Sequence, residues 1–140
     1  MRFWDSSAIV PLLVNEPGSS EVAAIFRQDP IQIVWCQTAV EVSSALARRQ
    51  RERALEDDTA ERARATLRAL AEAWEETIAL DAARSRAIRL VQSHPLGAAD
   101  ALQLAAALVA SDERPEGFPF VCLDARLRDA AKREGFLVSP

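Results

Sequence analysis

The stretch LGAADALQLAAAL, residues 96–108, is apolar and rich in alanine, and it carries a single carboxylate. Its composition and length predict a buried helix. Leu104 and Leu108 lie four and eight residues after Asp100, so helical spacing places the carboxylate on a face that is otherwise buried. Burying an uncompensated charge costs several kcal/mol. Asp100 therefore either bonds to backbone N–H groups at the helix start or points into a site that requires its charge.

The overall composition is that of an ordinary globular protein, with 27% charged residues in a chain of 140. This length predicts a single domain, residues 1–140. No apolar run approaches the roughly 20 residues of a membrane span. The first residues also lack the apolar stretch of a signal peptide. We therefore expect a cytoplasmic protein without membrane association.

The residue types argue against several kinds of site. Cys36 and Cys122 each fall in a short apolar stretch, which favours free core thiols over a disulfide. There is no CxxC pair, and the only histidine, His94, precedes a proline, so zinc sites and histidine-based hydrolases are poorly supported. Glycine-rich nucleotide-binding patterns are missing. The net charge of −4 argues against non-specific duplex binding but permits a local patch that holds a single strand.

Short apolar runs alternate with amphipathic segments along the whole chain. This alternation predicts a three-layer α/β/α sandwich with a mainly parallel central sheet. We predict that Asp81 caps the helix after the third strand. Strands are predicted at residues 2–4, 31–36, 77–80, 118–123 and 136–138, and helices at 8–14, 19–29, 37–53, 59–74, 82–92, 96–108 and 125–134.

Four carboxylates fall at the junctions between these elements. Asp5 and Asp124 follow the first and fourth predicted strands, and Glu41 and Asp100 lie in the first turns of helices. Because parallel sheets bind ligands outside the carboxyl ends of their strands, we expect the four groups to share one edge of the sheet. Each also has a structural alternative. Glu41 could complete a capping box with Thr38, and the two strand-end aspartates could be helix N-caps.

Carboxylates that share one site repel one another, which favours either protonation or a bound cation. A set of oxygen ligands without histidine or cysteine suits Mg²⁺ or Mn²⁺. Such an ion can activate water and stabilise the charge that develops on a phosphodiester. The pattern therefore predicts nuclease chemistry. The non-catalytic alternative is a binding module whose acidic pocket docks an arginine of a partner protein.

The segments that carry the four acids resemble the motifs of PIN-domain nucleases, most closely the VapC-type toxins of toxin–antitoxin pairs. The resemblance covers essentially the whole chain. It implies a Mg²⁺- or Mn²⁺-dependent endoribonuclease that hydrolyses RNA with metal-activated water, leaving a 5′-phosphate and a 3′-hydroxyl. It also implies inhibition by a cognate antitoxin and, usually, a homodimer. The matching segments are Asp5-Ser6-Ser7, TAVEVSSAL around Glu41, LGAADALQLA around Asp100 and VCLDARL around Asp124.

The same resemblance implies roles for individual residues. Asp5 and Asp100 would be the principal metal ligands, and Glu41 and Asp124 would complete the acidic pocket directly or through water. Ser7 matches a small hydroxyl residue that the family often carries two positions after its first aspartate. These five residues are the candidate catalytic set.

Three further segments have open interpretations. The run RRQRER, residues 48–53, is either a solvated helix face, because acids are interleaved with it, or a phosphate-binding edge beside the Glu41 helix. The predicted hairpin of residues 53–76 carries apolar side chains that either bury against the domain or bind an antitoxin helix or a second copy. These side chains are Leu55, Leu67, Leu70 and Trp74. Residues 85–92 are another candidate for homodimer contacts.

Overall fold

The computed structural model describes all 140 residues as five strands and seven helices. In chain order these are β1 (Arg2–Trp4), α1 (Ser6–Leu13), α2 (Ser19–Gln28), β2 (Gln32–Trp35), α3 (Thr38–Arg51), α4 (Asp57–Ala71), β3 (Glu75–Thr77), α5 (Leu80–Ser93), α6 (Ala98–Ala110), β4 (Pro119–Val121), α7 (Ala125–Glu134) and β5 (Leu137–Ser139).

The strands form one sheet in the order β3-β2-β1-β4-β5, and every pairing is parallel. The central strand, β1, pairs with β2 through Phe3 and Ile33 and with β4 through Phe3 and Phe120. The chain first extends the sheet on one side of β1 and then crosses to the other side at β4. The strand order therefore reverses between β1 and β4, and folds of this kind bind ligands at such a reversal.

Helices cover both faces of the sheet. Since successive strand residues point to opposite sides, neighbouring residues of one strand contribute to different cores. Phe3 and Phe120 join a core of 18 buried residues that includes side chains of α5, α6 and α7. Their neighbours Trp4 and Val121 join a second core of 13 buried residues that includes side chains of α1, α2, α3 and α4. The predicted three-layer α/β/α sandwich is confirmed, and its sheet is parallel throughout.

The alanine-rich stretch forms α6, which is buried as predicted. Leu104 and its neighbours Ala105, Ala106 and Ala107 are fully inaccessible to solvent. Small side chains allow a helix to pack closely against its neighbours, and α6 packs against both α5 and β2. The same helix also buries an amide, since Gln103 is only 1% exposed.

The third strand begins two residues and ends three residues earlier than predicted, at Glu75–Thr77, and Leu80 already belongs to α5. This strand is at the edge of the sheet, where exposed charged side chains such as Glu75 and Glu76 are tolerated and discourage further strand pairing. A search for apolar runs misses such a strand. The prediction that Asp81 caps the next helix is also wrong, because α5 begins after Ala79 without a side-chain cap.

The apolar side chains of the hairpin pack against the domain. Leu67 and Trp74 are buried, and Leu55 and Leu70 pack against the second core. This agrees with the first of the two interpretations, burial against the domain. The two cysteines are free thiols, as predicted. None of the helices combines the length and apolar character that crossing a membrane requires.

Candidate active site

An open cavity of about 830 Å³ lies where Asp5 leaves β1 and Asp124 follows β4. Its wall includes all four predicted carboxylates and Ser7, so the structure brings the five candidate residues together. The rest of the wall comes from α1, from the turn before α2, from one face of α3, and from Ala99 and Leu123 beside the two last acids. Neither histidine nor cysteine lines it.

Asp5 is the most deeply placed of the four acids, with an exposure of only 3%. Pairing with β4 continues to this residue, whose N–H donates to the carbonyl of Val121 at 3.0 Å. Its Oδ2 accepts the N–H of Ser7 at 2.9 Å and caps α1, so the N-cap alternative is correct as well. Burial raises the pKa of Asp5 from 3.8 to about 6, aided by the charges of Glu41 and Asp100 and opposed by hydrogen bonds from Ser7.

Ser7 holds the first turn of α1 against the loop that carries Asp124. Its Oγ accepts the N–H of Leu123 at 2.9 Å and the N–H of Asp124 at 3.2 Å. Both bonds use the lone pairs of Oγ, so Ser7 acts as a positioning residue. Beside it, the Sγ of Cys122 lies 3.6 Å from Oγ of Ser7 and 3.6 Å from Oδ2 of Asp5. Burial raises the pKa of the Cys122 thiol, so the thiol stays protonated and donates to Asp5.

Glu41 is held by an amide that the sequence analysis missed. The capping box does not form, because α3 starts after Gln37 without a side-chain cap. Instead, Nε2 of Gln103 donates to Oε2 of Glu41 at 2.7 Å and to Oγ1 of Thr38 at 3.2 Å. Gln103 lies one helical turn after Asp100, so this bond ties two acid-bearing helices together. A lone amide in an apolar helix, three residues after a candidate ligand, was the available signal.

Asp100 and Asp124 complete the acidic set. Asp100 is the third residue of α6, and the helix is not capped by a side chain. Burial and then the charge of Asp124 raise the pKa of Asp100, and the opposing charge of Arg126 does not cancel them. Asp124 caps α7, with Oδ1 accepting the N–H of Leu127 at 2.8 Å. The N-cap alternative is therefore correct for Asp124, which also lines the cavity.

The donor set suits a hard divalent cation. Its charged members, Asp5, Glu41, Asp100 and Asp124, are all carboxylates. Burial and, to a smaller degree, the charges of neighbouring carboxylates raise the pKa values of Asp5 and Asp100. No group of three or more His, Cys, Asp or Glu side chains is arranged so that it could hold a metal ion. Mg²⁺ usually keeps several waters and binds through one or two carboxylates together with substrate phosphates. An open cavity lined by four carboxylates fits this mode of binding.

Two arginines of the basic run also line the cavity. Arg49 pairs with Glu16, its Nη2 lying 2.7 Å from Oε2. Arg48 is exposed and forms no ion pair. The later members of the run, Arg51 and Arg53, are exposed and do not line the cavity. The run is therefore divided between a cavity wall and a solvated face.

His94 does not line this cavity. Its Nε2 lies 2.7 Å from Oε1 of Glu134, and Arg89 donates to the same carboxylate. Burial acts to raise the pKa of Glu134, but the hydrogen bonds from Arg89 and His94 outweigh it and hold the pKa below its ordinary value. This cluster joins the loop before α6 to the end of α7.

The site thus combines four carboxylates, three of them held by hydrogen bonds, with two arginines in one open cavity. Such an arrangement can hold a divalent cation beside an anionic substrate. Neither a scan against models of known protein families nor a search of curated proteins finds a match to this chain.

Proposed function

We propose that this chain is a Mg²⁺- or Mn²⁺-dependent endoribonuclease and the toxin of a toxin–antitoxin pair, acting in the cytoplasm. One observation carries the catalytic part of the proposal. The four acids of the PIN-like motifs, which are distant in sequence, line one open cavity where the strand order reverses. The role as a toxin is supported by the resemblance of the motifs alone.

Asp5 and Asp100 would hold the cation, and Glu41 and Asp124 would complete its surroundings directly or through water. When bound, a divalent cation lowers the pKa of water and stabilises charge on phosphodiester oxygens. Burial is the main cause of the raised pKa values of Asp5 and Asp100, and neighbouring carboxylates add to it; a cation in the cavity would offset both effects by favouring the ionised carboxylates.

The chain itself fixes three of the four acids before any ligand arrives. Asp5, Glu41 and Asp124 each use one carboxylate oxygen in a hydrogen bond to the protein, through Oδ2, Oε2 and Oδ1 respectively. The second oxygen of each makes no hydrogen bond within the chain and is available to a ligand. Such preorganisation removes the cost of orienting the groups during the reaction.

The reaction is a hydrolysis. A water oxygen forms a bond to phosphorus, and the bond from phosphorus to O3′ breaks. One proton of the water ends on the departing O3′, so the products are a 5′-phosphate and a 3′-hydroxyl. Internal cleavage requires a chain to enter from the side, and an open cavity, rather than an enclosed one, is compatible with this requirement.

The proposed partners are an RNA substrate, a cognate antitoxin and a second copy of the chain. Within residues 85–92, Ile88 is 57% exposed and Val91 is 43% exposed, which supports the expected homodimer contact there. Light scattering on the isolated protein measures the stoichiometry directly.

Single-stranded RNA incubated with the purified chain tests the catalytic proposal. We expect cleavage with Mg²⁺ or Mn²⁺, none with a chelator, and 5′-phosphate ends on the products. Asp129→Asn, which changes an exposed acid outside the cavity, should cleave as the parent does. If RNA stays intact with both metals while an arginine-bearing peptide binds at the cavity, the docking module is the correct interpretation instead.

A further inference from the structure

Arg48 is the cavity arginine without a carboxylate partner. It is exposed and lies on the face of α3 that also presents Glu41 and Ser44 to the cavity. Its neighbour Arg49 is already neutralised by Glu16. The arginine end of the cavity therefore keeps one uncompensated positive charge, while the other end carries the four carboxylates.

The spacing along α3 separates these two ends. Arg48 lies seven positions after Glu41, which corresponds to about 10 Å along the helix axis. A phosphodiester held at the carboxylates would leave Arg48 beside the phosphate of a neighbouring nucleotide. A guanidinium can contact such a phosphate through two parallel N–H bonds.

The cavity wall offers bases no stacking surface. None of its 16 lining residues is aromatic, whereas proteins that grip single strands by their bases use aromatic side chains as stacking platforms. Contact at the arginine end is therefore expected to be with the backbone and to be largely independent of base identity.

From these observations we propose that Arg48, with Arg49 held beside it by Glu16, forms a backbone-phosphate subsite for the nucleotide next to the scissile bond of single-stranded RNA. This inference rests on the proposed nuclease function and adds a substrate contact to it. The subsite predicts that binding depends on the phosphates flanking the cleaved one.

Binding of a labelled single-stranded oligouridylate over a series of salt concentrations tests the subsite. The measurement uses Asp5→Asn protein with Mg²⁺, in which we expect no hydrolysis. Adding Arg48→Ala should weaken binding and reduce the slope of log K against log salt by about 0.7, the value for one single-strand phosphate contact. Arg48→Lys should restore most of the slope, because it keeps the charge.

Arg51→Ala is the matched control, since Arg51 is an exposed arginine of the same helix outside the cavity, and it should leave the slope unchanged. An unchanged slope in Arg48→Ala, or an equal loss in the control, overturns the subsite. Cleavage by the parent is measured on the same RNA. Cleavage with an unchanged Arg48→Ala slope contradicts only the subsite, whereas a reduced slope without cleavage contradicts only the nuclease proposal.

Discussion

Replacing Asp5 with asparagine should stabilise the metal-free protein while abolishing its activity. The pKa of this buried carboxyl rises from 3.8 to about 6 on folding, and each pKa unit corresponds to about 1.4 kcal/mol. Ionised Asp5 therefore costs the folded state about 3 kcal/mol. An asparagine has nearly the same shape, can still accept the N–H of Ser7, and carries no charge. Stability is often lost where an active site needs an uncompensated charge.

The sign of the pH dependence follows from proton linkage. Between pH 3.8 and about 6 the folded state of the parent binds more protons at Asp5 than the unfolded state does, so this group lowers the free energy of unfolding as the pH rises. The full cost is present above pH 6. The gain from Asp5→Asn should thus be largest at pH 8 and should shrink towards zero near pH 4.

Urea unfolding in the presence of a chelator, followed by circular dichroism at pH 4.5, 6 and 8, measures this gain. Asp129→Asn serves as the control, because its carboxyl is exposed, and it should show no comparable pH-dependent gain. A gain that is absent at pH 8, or equally large at pH 4.5, would refute the reasoning about Asp5.

Three further changes probe the groups that position the acids. Gln103→Met removes the donor to Glu41 and replaces it with an apolar side chain of similar size. We expect RNA cleavage and Mn²⁺ affinity to fall about 10- to 100-fold, with little change in the urea midpoint. Ser7→Ala leaves two N–H groups without an acceptor and should lower the free energy of unfolding by about 1–3 kcal/mol, whereas Ser6→Ala, which loses no such bond, should not. Glu134→Gln should destabilise the fold at pH 7, and, because the pKa of Glu134 is lowered, the difference measured by urea unfolding should disappear as the pH falls below 4.5.

The parts of the fold that the sequence predicted well are those with a strong hydrophobic pattern. β1 and α7 have the predicted limits, because β1 carries two adjacent large aromatic residues directly before Asp5, and α7 has a clear cap and a glycine after its last residue. The buried helix α6 is equally clear. The edge strand β3 was misplaced, because pairing on one side only allows Glu75 and Glu76 to remain in solvent.

The acids of the site could be predicted because each lies at a junction between elements, and the order of a parallel sheet brings such junctions together. Their supporting groups could not. The bond from Gln103 to Glu41 joins residues that are 62 positions apart, and the role of Ser7 depends on a loop 116 residues away. Local patterns such as the capping box at Thr38 compete with these long-range bonds, and only the packing of α6 against the sheet decides between them.

Cleavage by Asp100→Asn tests the central claim most directly, because Asp100 makes no side-chain hydrogen bond that caps its helix and its loss should leave the fold intact. The measurement compares initial rates of RNA cleavage by the parent and by Asp100→Asn in Mg²⁺ and in Mn²⁺, with circular dichroism confirming that both are folded. We expect a folded variant without measurable cleavage in either metal. Cleavage at the parental rate would contradict the assignment of this cavity as a metal-dependent nuclease site.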